Sequence, residues 1–399
     1  MNKVLIIGGG QAGCMVAISL RQLKFDGEIT IATEENHLPY QRPPLSKGFL
    51  VNKAKTESLY FKSLTYYENN DIEVLKRKRA TKISREKKQV YFEDETTLDY
   101  DHLVIATGSE LNKINQKKES KRIVYLNNLG SAEQLKKLLE TCKNIGVIGG
   151  GFIGLEVAAT ARSKGLKTTV FEAADRIMGR SASKQVAQFL QKYHESKGVD
   201  FLIGKMIEAL KIKQKEVEIS LSGSAAHKAE CVLVGIGVKP SSQIAEDANL
   251  ECNNGIIVDE NCTTNDKNIF AAGDCVNYYF EEYKTRQRLE SVQNAIDQAK
   301  IVASSITGSL TGYKSTPWFW SDQYGLKIKI AGLSQGSDLQ VIRGKQNEGK
   351  FSVCHYKEER LTAVECVNDQ KTFMLGKKLI EKSSKISPET IKNEQTNLK

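Results

Sequence analysis

Two stretches of the chain repeat one pattern of apolar and polar positions. Residues 4–35 and residues 145–175 each contain a short apolar run, a glycine-rich turn, apolar residues at helical spacing, and a second apolar run that ends near an acid. Strand, glycine turn, helix and strand in this order are typical of a dinucleotide-binding βαβ unit. The repetition predicts an α/β protein with two Rossmann-like dinucleotide-binding domains.

The glycine turns carry the chemistry of both repeats. In a GxGxxG turn the first glycine permits a tight turn, the second lets backbone N–H groups approach a pyrophosphate, and the third lets helix and strand pack closely. The residues that this pattern assigns to cofactor binding are Gly8, Gly10, Ala12 and Gly13 in the first repeat, and Gly149, Gly151, Ile153 and Gly154 in the second. Two such turns predict two dinucleotides, and the economical pair is one tightly held FAD and one exchangeable NAD(H).

An acid follows the second apolar run of each repeat. Glu34 and Glu172 stand where a carboxylate accepts hydrogen bonds from an adenosine ribose, although a solvated acid at a strand end is the alternative. Glu172 would repel a 2′-phosphate, and Ala173 and Ala174 offer no arginine to receive one. The sequence therefore favours NADH over NADPH.

Three other apolar runs end in small or acidic residues. Residues 103–109 read LVIATGS, residues 231–237 read CVLVGIG, and residues 270–274 read FAAGD. Ligands of a parallel sheet gather at the carboxyl ends of its strands. The candidate cofactor contacts at these ends are therefore Thr107, Gly108, Gly237 and Asp274, with a capping role as the alternative for Asp274.

The last part of the chain alternates apolar and polar residues. Four runs, LKIKIAG, LQVIRG, FSVCHY and LTAVECV, predict strands, and a helix is expected near Thr372 to Glu381. These signals predict an α+β C-terminal domain with an antiparallel sheet.

Proline marks one loop. The chain has six prolines, and three of them are Pro39, Pro43 and Pro44. Each proline ring fixes its own φ and restrains the residue before it, so we expect this loop to be rigid. The loop is therefore the first place to look for function.

Charge and hydropathy narrow the class of protein. The chain has 58 basic and 48 acidic residues among 399, a formal net charge of +10. Its lysines are interleaved with acids, which is typical of a solvated surface rather than a nucleic-acid site, so only a weak attraction to acidic partners is expected. No apolar run approaches the roughly 20 residues of a membrane helix. The strand-like run at residues 4–7 leaves no room for a signal peptide, so we expect a soluble cytoplasmic protein.

Cysteine spacing excludes two local kinds of site. No two of the eight cysteines form a CxxC or CxxxxC pair. This spacing argues against a zinc site and against a local redox disulfide. We expect no metal, and reduced thiols with mainly packing roles.

Six motifs span nearly the whole chain and together resemble one family. They are HLPYQRPPLSKGFL (37–50), DYDHLVIATGS (99–109), VIGGGFIGLEVAATAR (147–162), FAAGDC (270–275), ESVQNAIDQAK (290–300) and PWFWSDQYGLKIKIAG (317–332). The chain resembles the FAD-dependent pyridine nucleotide oxidoreductases, and within them the ferredoxin, putidaredoxin and rubredoxin reductases that serve bacterial oxygenases. The stretch RPPLSK stands where the disulfide reductases of this family carry a redox cysteine pair. The resemblance therefore implies electron transfer from flavin directly to a one-electron carrier.

The resemblance implies catalytic roles for three residues. Lys47 would lie near the flavin and stabilise its reduced form, with Glu156 as its partner, although a plain surface ion pair is the alternative. Trp320 would stack beside the flavin and the nicotinamide, unless it serves only to pack a core.

The resemblance also implies contacts to FAD. Arg42 is expected near the FAD phosphates or adenine, Ala80 at the adenine, and Asp274 at the ribityl and phosphate region. The backbone N–H of Val292 would face the pyrimidine edge of the flavin. The chain departs from the family at Asn127, where several relatives carry an arginine thought to contact FAD.

The order of the motifs predicts a glutathione-reductase-like architecture of three domains. An FAD domain, residues 1–112 and 247–315, is interrupted by an NAD domain, residues 113–246, and a C-terminal domain follows at residues 316–399. The expected reaction is hydride transfer from NADH to FAD, followed by two single-electron steps to a small acidic iron–sulfur protein. A 2Fe–2S ferredoxin is favoured over rubredoxin. Two alternatives stay open: an NADH oxidase or small-acceptor reductase, and a redox-sensitive binding protein like apoptosis-inducing factor.

Overall fold

The chain folds into two compact units. The computed structural model describes residues 2–114, 120–309, 312 and 315–394. Unit 1 is built from Met1–Gln41, Glu57–Glu110 and Val238–Pro317, and unit 2 from Arg42–Thr56, Leu111–Gly237 and Trp318–Lys399. The predicted division into three domains stays a prediction.

Unit 1 contains the first βαβ repeat. Its five-stranded sheet is wholly parallel, in the order Ile269–Ala271, His102–Ile105, Lys3–Ile7, Glu28–Thr33 and Ile72–Lys76. The helices Gln11–Gln22 and Val292–Ile306 pack on this sheet through small and aliphatic residues of one core, among them Val16, Ala17, Ala299 and Val302. Small residues on both helices let the two helix backbones lie close to each other.

The other elements of unit 1 are shorter. An antiparallel meander is formed by Ala80–Ser84, Gln89–Phe92 and Thr97–Asp99, and a second small sheet by Ile256–Ile257, Val276–Phe280 and Thr285–Gln287. The short helices are Leu64–Asn69 and Gln243–Glu246. The strands Ser109–Leu111 and Val238–Pro240 and the helix Thr56–Leu59 stand where the chain passes between units.

Unit 2 contains the second βαβ repeat. Its parallel sheet has the order Val199–Ile203, Lys167–Glu172, Asn144–Ile148, Cys231–Val234 and Ile123–Val124. The helices of this part are Leu129–Thr141, Phe152–Ser163 and Lys184–Ser196, and an antiparallel meander is formed by Ile207–Ile212, Val217–Leu221 and Ser224–Ala229. The first loop of unit 2 contains the 3₁₀ turn Pro43–Ser46.

The C-terminal part of unit 2 is an antiparallel sheet, as predicted. Its five strands lie in the order Trp318–Gln323, Leu326–Gly332, Arg360–Val367, Lys350–Lys357 and Leu339–Lys345. The helices Gln370–Glu381 and Pro388–Lys392 follow, so the expected helix is confirmed. The strand Trp318–Gln323 was not among the four predicted runs, because its aromatic and polar residues do not alternate cleanly by hydropathy.

Within the described part of the chain, no helix is both long and apolar enough to cross a bilayer.

Candidate functional site

The two glycine turns have the same geometry. Gly8 and Gly149, each directly after a strand, adopt φ angles of +118° and +103°, where a side chain is strained. A Cβ at Gly13 would lie 2.0 Å from the Gly8 carbonyl oxygen, and one at Gly154 would lie 2.1 Å from that of Gly149. The first and third glycines of both repeats therefore meet the steric demands of a tight turn and close packing, while their part in cofactor binding stays a prediction.

The helices behind these turns leave their N-terminal N–H groups available. Gly10 and Gly151 are the N-caps of Gln11–Gln22 and Phe152–Ser163, and within the described residues no side chain caps either helix. A Cβ at Gly10 or at Gly151 would meet no described atom within 4 Å. The helix Val292–Ile306, in contrast, is capped by Ser291. Unpaired N–H groups beside open space fit the pyrophosphate of a dinucleotide in each unit.

The two acids do not occupy equivalent places. Glu172 is the last residue of its strand, and its carboxylate accepts the N–H of Gly150 at 2.8 Å and that of Ala174 at 2.9 Å. By strand register Thr33 corresponds to Glu172, so Glu34 falls one residue beyond the strand. Glu34 is exposed, and its nearest cation is Arg79 at 3.9 Å. Glu172 therefore stabilises its glycine turn through hydrogen bonds, whereas the side chain of Glu34 is exposed to solvent.

The buried carboxylate of Glu156 binds two residues of the loop that contains Pro43 and Pro44. Glu156 lies on Phe152–Ser163, is 5% exposed, and its Oε2 atom is 2.6 Å from Lys47 Nζ. Ser46 Oγ donates to the same oxygen at 2.5 Å, and Ser321 Oγ donates to Oε1 at 2.5 Å. Thr160, one turn along the helix, donates to the Ser46 carbonyl at 3.1 Å. The structure thus brings Lys47 and Glu156 together as an enclosed pair rather than a surface one.

The hydrogen bonds continue behind Glu156 to residues that sequence reasoning missed. Gln323 Nε2 donates to Ser321 Oγ at 3.1 Å, and Gln323 Oε1 is 2.8 Å from His194 Nε2. All three residues are buried, and burial lowers the pKa of His194. Neutral His194 can therefore donate to Gln323, which fixes the orientation of the amide. The signal available in the sequence was the i, i+2 spacing of Ser321 and Gln323, which places them on one face of a strand.

Trp320 lies on the other face of that strand. Its ring is 5.6 Å from that of Trp318, which in turn lies 5.5 Å from Phe373. Trp320 is half-buried. It therefore belongs to an aromatic cluster on the face opposite the Glu156 hydrogen bonds.

Arg42 contacts the backbone of Asn127. The Arg42 guanidinium donates to the carbonyl oxygen of Asn127, and the Asn127 N–H is held by Ser131 Oγ at 3.1 Å. The Arg42 guanidinium therefore lies beside the backbone of Asn127.

The other predicted binding residues occupy strand ends and turns. Thr107 donates to the Ser241 carbonyl at 2.7 Å, and Gly108, with φ +69°, has open space around it. Ala80 begins a strand, the Asp274 carbonyl accepts from Arg288 at 3.3 Å, and Val292 begins its helix as predicted. In unit 2, Ile153 is 47% exposed in the first helical turn, and Gly237 has φ +90°.

Comparisons with known proteins agree with this geometry. Residues 2–299 match the family model described as pyridine nucleotide-disulphide oxidoreductase, and residues 318–399 match the reductase C-terminal model. Rhodocoxin reductase of Rhodococcus erythropolis is 40% identical, over 100% of this chain and 93% of that protein. Putidaredoxin reductase CamA of Pseudomonas putida is 34% identical, over 100% and 96%.

The chain belongs to the pyridine nucleotide-disulphide oxidoreductase family.

Solved structures extend the likeness to the fold. A ferredoxin reductase from Rhodopseudomonas palustris superposes with a TM-score of 0.96 at 37% identity, covering 100% of this chain and 99% of that one. The reductase of a covalent putidaredoxin reductase–putidaredoxin complex gives 0.97 at 34% identity, covering 100% and 97%. The predicted α/β fold, the ferredoxin, putidaredoxin and rubredoxin reductase subgroup and the enzyme class are confirmed, and FAD and NAD(H) are the cofactors of this family.

One likeness bears on the fold alone. A water-forming NADH oxidase from Lactobacillus brevis has a TM-score of 0.88 at 20% identity, covering 96% of this chain and 92% of that one. At this identity the likeness shows a shared fold and carries no information about the electron acceptor of this chain.

Proposed function

We propose that this protein is an NADH-dependent flavoprotein reductase that delivers electrons through FAD to a small acidic iron–sulfur carrier, a 2Fe–2S ferredoxin rather than rubredoxin. The observation that carries the proposal is the pair of uncapped glycine-turn helices, one in each unit. Relatives at 32–40% identity named as rhodocoxin, putidaredoxin, ferredoxin and rubredoxin reductases support the acceptor class.

Unit 1 would hold FAD, which supplies hydride acceptance and one-electron donation when bound. The N–H groups after Gly10 would bind its pyrophosphate. The other residues proposed to contact it are Glu34, Arg42, Ala80, Thr107, Gly108, Asp274 and Val292. The proposed domains are an FAD domain of residues 1–112 and 247–315, an NAD domain of residues 113–246 and a C-terminal domain of residues 316–399.

Unit 2 would hold NADH at the turn before Phe152–Ser163. Glu172 would accept hydrogen bonds from the adenosine ribose and exclude a 2′-phosphate by charge repulsion. Its carboxylate is already oriented by the Gly150 and Ala174 N–H groups, so little reorganisation is needed on binding.

Lys47 is proposed as the cation that stabilises negative charge on the reduced flavin. Glu156 keeps the Lys47 ammonium in place through the 2.6 Å contact between its Oε2 atom and Lys47 Nζ. Trp320 is proposed to stack beside the cofactors, and the cytoplasm is the proposed location.

Rapid-mixing reduction of the yellow protein by NADH and NADPH tests the donor. We expect NADH to bleach the flavin faster, and a faster bleach by NADPH would contradict the role of Glu172. Cytochrome c reduction with and without a 2Fe–2S ferredoxin tests the acceptor. Fast NADH consumption without any carrier would favour an oxidase, and slow turnover with every acceptor would favour a redox-sensitive binding protein.

A further inference from the structure

A row of three buried side chains leads away from the Glu156 carboxylate. Ser321 Oγ donates to Glu156 Oε1 at 2.5 Å, and Gln323 Nε2 donates to Ser321 Oγ at 3.1 Å. Gln323 Oε1 lies 2.8 Å from Nε2 of His194, which is in the last turn of the helix Lys184–Ser196. We call Ser321, Gln323 and His194 the donor row. It ties the carboxylate to a strand and to a second helix of unit 2.

The direction of these hydrogen bonds follows from the state of the His194 ring. His194 is completely buried, and burial lowers its pKa, so the ring is neutral and carries a single N–H group. Within the described residues, Nδ1 of this ring has no hydrogen-bond partner. A buried acceptor without a partner is less rare in proteins than a buried N–H without one, so the proton belongs on Nε2 and is donated to Gln323 Oε1. The NH2 group of Gln323 therefore faces Ser321.

The Ser321 hydroxyl has one proton, and its two neighbours decide where that proton points. Its oxygen accepts a Gln323 N–H group, whereas the carboxylate of Glu156 can only accept. The hydroxyl proton is therefore directed at Glu156 Oε1. All three donors of the row thus point towards the carboxylate, where hydrogen bonds are strengthened by the negative charge.

The other oxygen of Glu156 holds the loop of Lys47. Oε2 accepts from Ser46 Oγ at 2.5 Å and lies 2.6 Å from Lys47 Nζ. Lys47 Nζ also donates to the Pro43 carbonyl oxygen at 3.2 Å. The two oxygens of a carboxylate move together, so the hydrogen bond from Ser321 to Oε1 also fixes the direction in which Oε2 meets the ammonium.

Aromatic neighbours hold the far end of the donor row. The His194 ring is 5.0 Å from the Tyr324 ring at an interplanar angle of 67°, and 6.2 Å from the Phe201 ring at 82°. Both are edge-to-face contacts, the geometry that aromatic pairs favour. The His194 ring therefore has a fixed position from which it orients the Gln323 amide.

We propose that Ser321, Gln323 and His194 are positioning residues that fix the Glu156 carboxylate and, through it, the Lys47 ammonium. They act through Glu156 and not by contact with the cofactor. The inference rests on the proposed role of Lys47, which is to stabilise negative charge on the reduced flavin, and it extends that role to the donor row. Loss of a donor lets the carboxylate turn, so the ammonium is displaced and the reduced flavin is stabilised less.

Replacement of Gln323 in the full-length FAD-loaded protein tests the proposal. Gln323→Met keeps the unbranched shape of the side chain but removes the amide. We expect the midpoint potential of the flavin, titrated against a reference dye, to fall. The limiting rate of flavin reduction by NADH should fall about threefold to tenfold, the fold-change that corresponds to one hydrogen bond. The NADH concentration at half the limiting rate should stay unchanged, because the nucleotide site at Glu172 is not altered.

Two comparisons separate positioning from a general loss of packing. His194→Gln, which keeps an amide donor, should retain more of the rate than His194→Leu. Ser352→Ala is the matched control, because Ser352 is buried in the same antiparallel sheet and its hydroxyl donates to Asp369 Oδ2 at 2.9 Å, away from the donor row. This variant should unfold at lower urea concentration but keep the potential and the rate. Equal changes of potential in Ser352→Ala and Gln323→Met would overturn the proposal.

A double-mutant cycle distinguishes failure of this inference from failure of the proposed function. If the donor row acts through Lys47, Gln323→Met should slow reduction by less than about 1.5-fold in a Lys47→Ala background. The same loss in both backgrounds, or an unchanged potential in Gln323→Met, would overturn the positioning role while the role of Lys47 stands. A Lys47→Ala variant with unchanged potential and rate would instead contradict the proposed role of Lys47, and this inference with it.

Nitrogen NMR of the unaltered chain tests the direction of the row even if Gln323→Met fails to fold. The FAD-loaded protein is labelled with ¹⁵N-histidine, and the spectrum of His194→Gln assigns the His194 signals. At about pH 7 we expect a neutral ring with its proton on Nε2. A proton on Nδ1 would reverse the first hydrogen bond of the row and overturn the proposal.

Discussion

At the scale of single residues, the Glu156 carboxylate, which lies on a mostly apolar helix, binds the largest number of side chains described at the site. Glu156 is 5% exposed, and a buried charge of this kind is tolerated only when it is paired and hydrogen-bonded. Lys47, Ser46 and Ser321 meet this need. The sequence made Glu156 a candidate through a family motif, but the serines could not be found because they come from two separate segments.

Replacing Lys47 tests the proposed role of its ammonium. Lys47→Ala should slow flavin reduction by NADH about tenfold or more, because a charge-stabilising group is lost, while FAD stays bound. Rapid-mixing absorbance gives the rate, and the visible spectrum gives the FAD content. Lys53→Ala, an exposed lysine of the same loop, should leave the rate unchanged. An unaltered rate in Lys47→Ala would count against the proposed role.

Replacing Glu172 tests the choice of nucleotide. Glu172→Gln keeps an oxygen that can accept a backbone N–H but removes the charge, so the preference for NADH over NADPH should fall by about tenfold, or about 1.4 kcal/mol. The ratio of kcat/KM values for the two nucleotides measures this. Glu34→Gln, an exposed acid in the other unit, should not change the ratio. A preserved ratio in Glu172→Gln would show that other groups select the nucleotide.

At the scale of elements, the two glycine-turn helices show which requirement each glycine meets. The first and third glycines are set by the fold, because a Cβ there would strain the turn or strike a carbonyl oxygen. The second glycine borders open space, so the fold alone does not require it. We propose that a ligand approaching the backbone accounts for glycine at Gly10 and Gly151.

This difference gives a matched pair of variants in unit 1. Gly10→Ala should fold, as judged by circular dichroism, but retain much less FAD. Gly13→Ala should fail to fold stably, because its Cβ would lie 2.0 Å from the Gly8 carbonyl oxygen. If purified Gly10→Ala kept a full complement of FAD, the pyrophosphate would not lie at this turn.

The strand Trp318–Gln323 supports Glu156 through alternate residues. Ser321→Ala removes the donor to Glu156 Oε1 and should lower the free energy of unfolding by about 1–2 kcal/mol. Urea unfolding of the FAD-loaded protein measures the change. Ser196→Ala, at an exposed helical serine, should change it by less than about 0.5 kcal/mol. Equal effects of both substitutions would mean that the Ser321 hydrogen bond adds no net stability.

At the scale of the whole molecule, one buried and two half-buried histidines link stability to pH. Burial lowers the pKa values of His102, His194 and His227 below 6.5. The unfolded chain therefore takes up protons near pH 6.5 that the folded chain does not. The contribution of these residues is fully present above pH 6.5 and is lost as the pH falls from 6.5 towards the lower pKa values of the folded state.

Unfolding measured between about pH 7 and pH 5.5 tests this expectation. The free energy of unfolding should fall with decreasing pH, by at most about 1.4 kcal/mol per pH unit for each histidine. His194→Gln, which retains an amide donor, should reduce the slope. A slope unchanged by this substitution would show that His194 is protonated equally in both states.

Local patterns in the sequence determined the βαβ units, the antiparallel strands of the C-terminal part and several candidate site residues. Two glycine turns, each flanked by apolar runs, specify βαβ units because their constraints act within about 30 residues of chain. Alternation in the last part of the chain specified the antiparallel strands for the same reason. Candidate residues inside these motifs, such as Gly10 and Glu172, could therefore be named in advance, whereas Lys47 was named through the family resemblance.

Only the tertiary structure decided which distant side chains meet. It enclosed Glu156 between serines from two other segments and carried the hydrogen bonds on to His194. Such contacts depend on strand order and register, which bring together residues on separate segments of the chain. Residue spacing along the chain does not indicate these contacts, because the position of each partner follows only the periodicity of its own helix or strand.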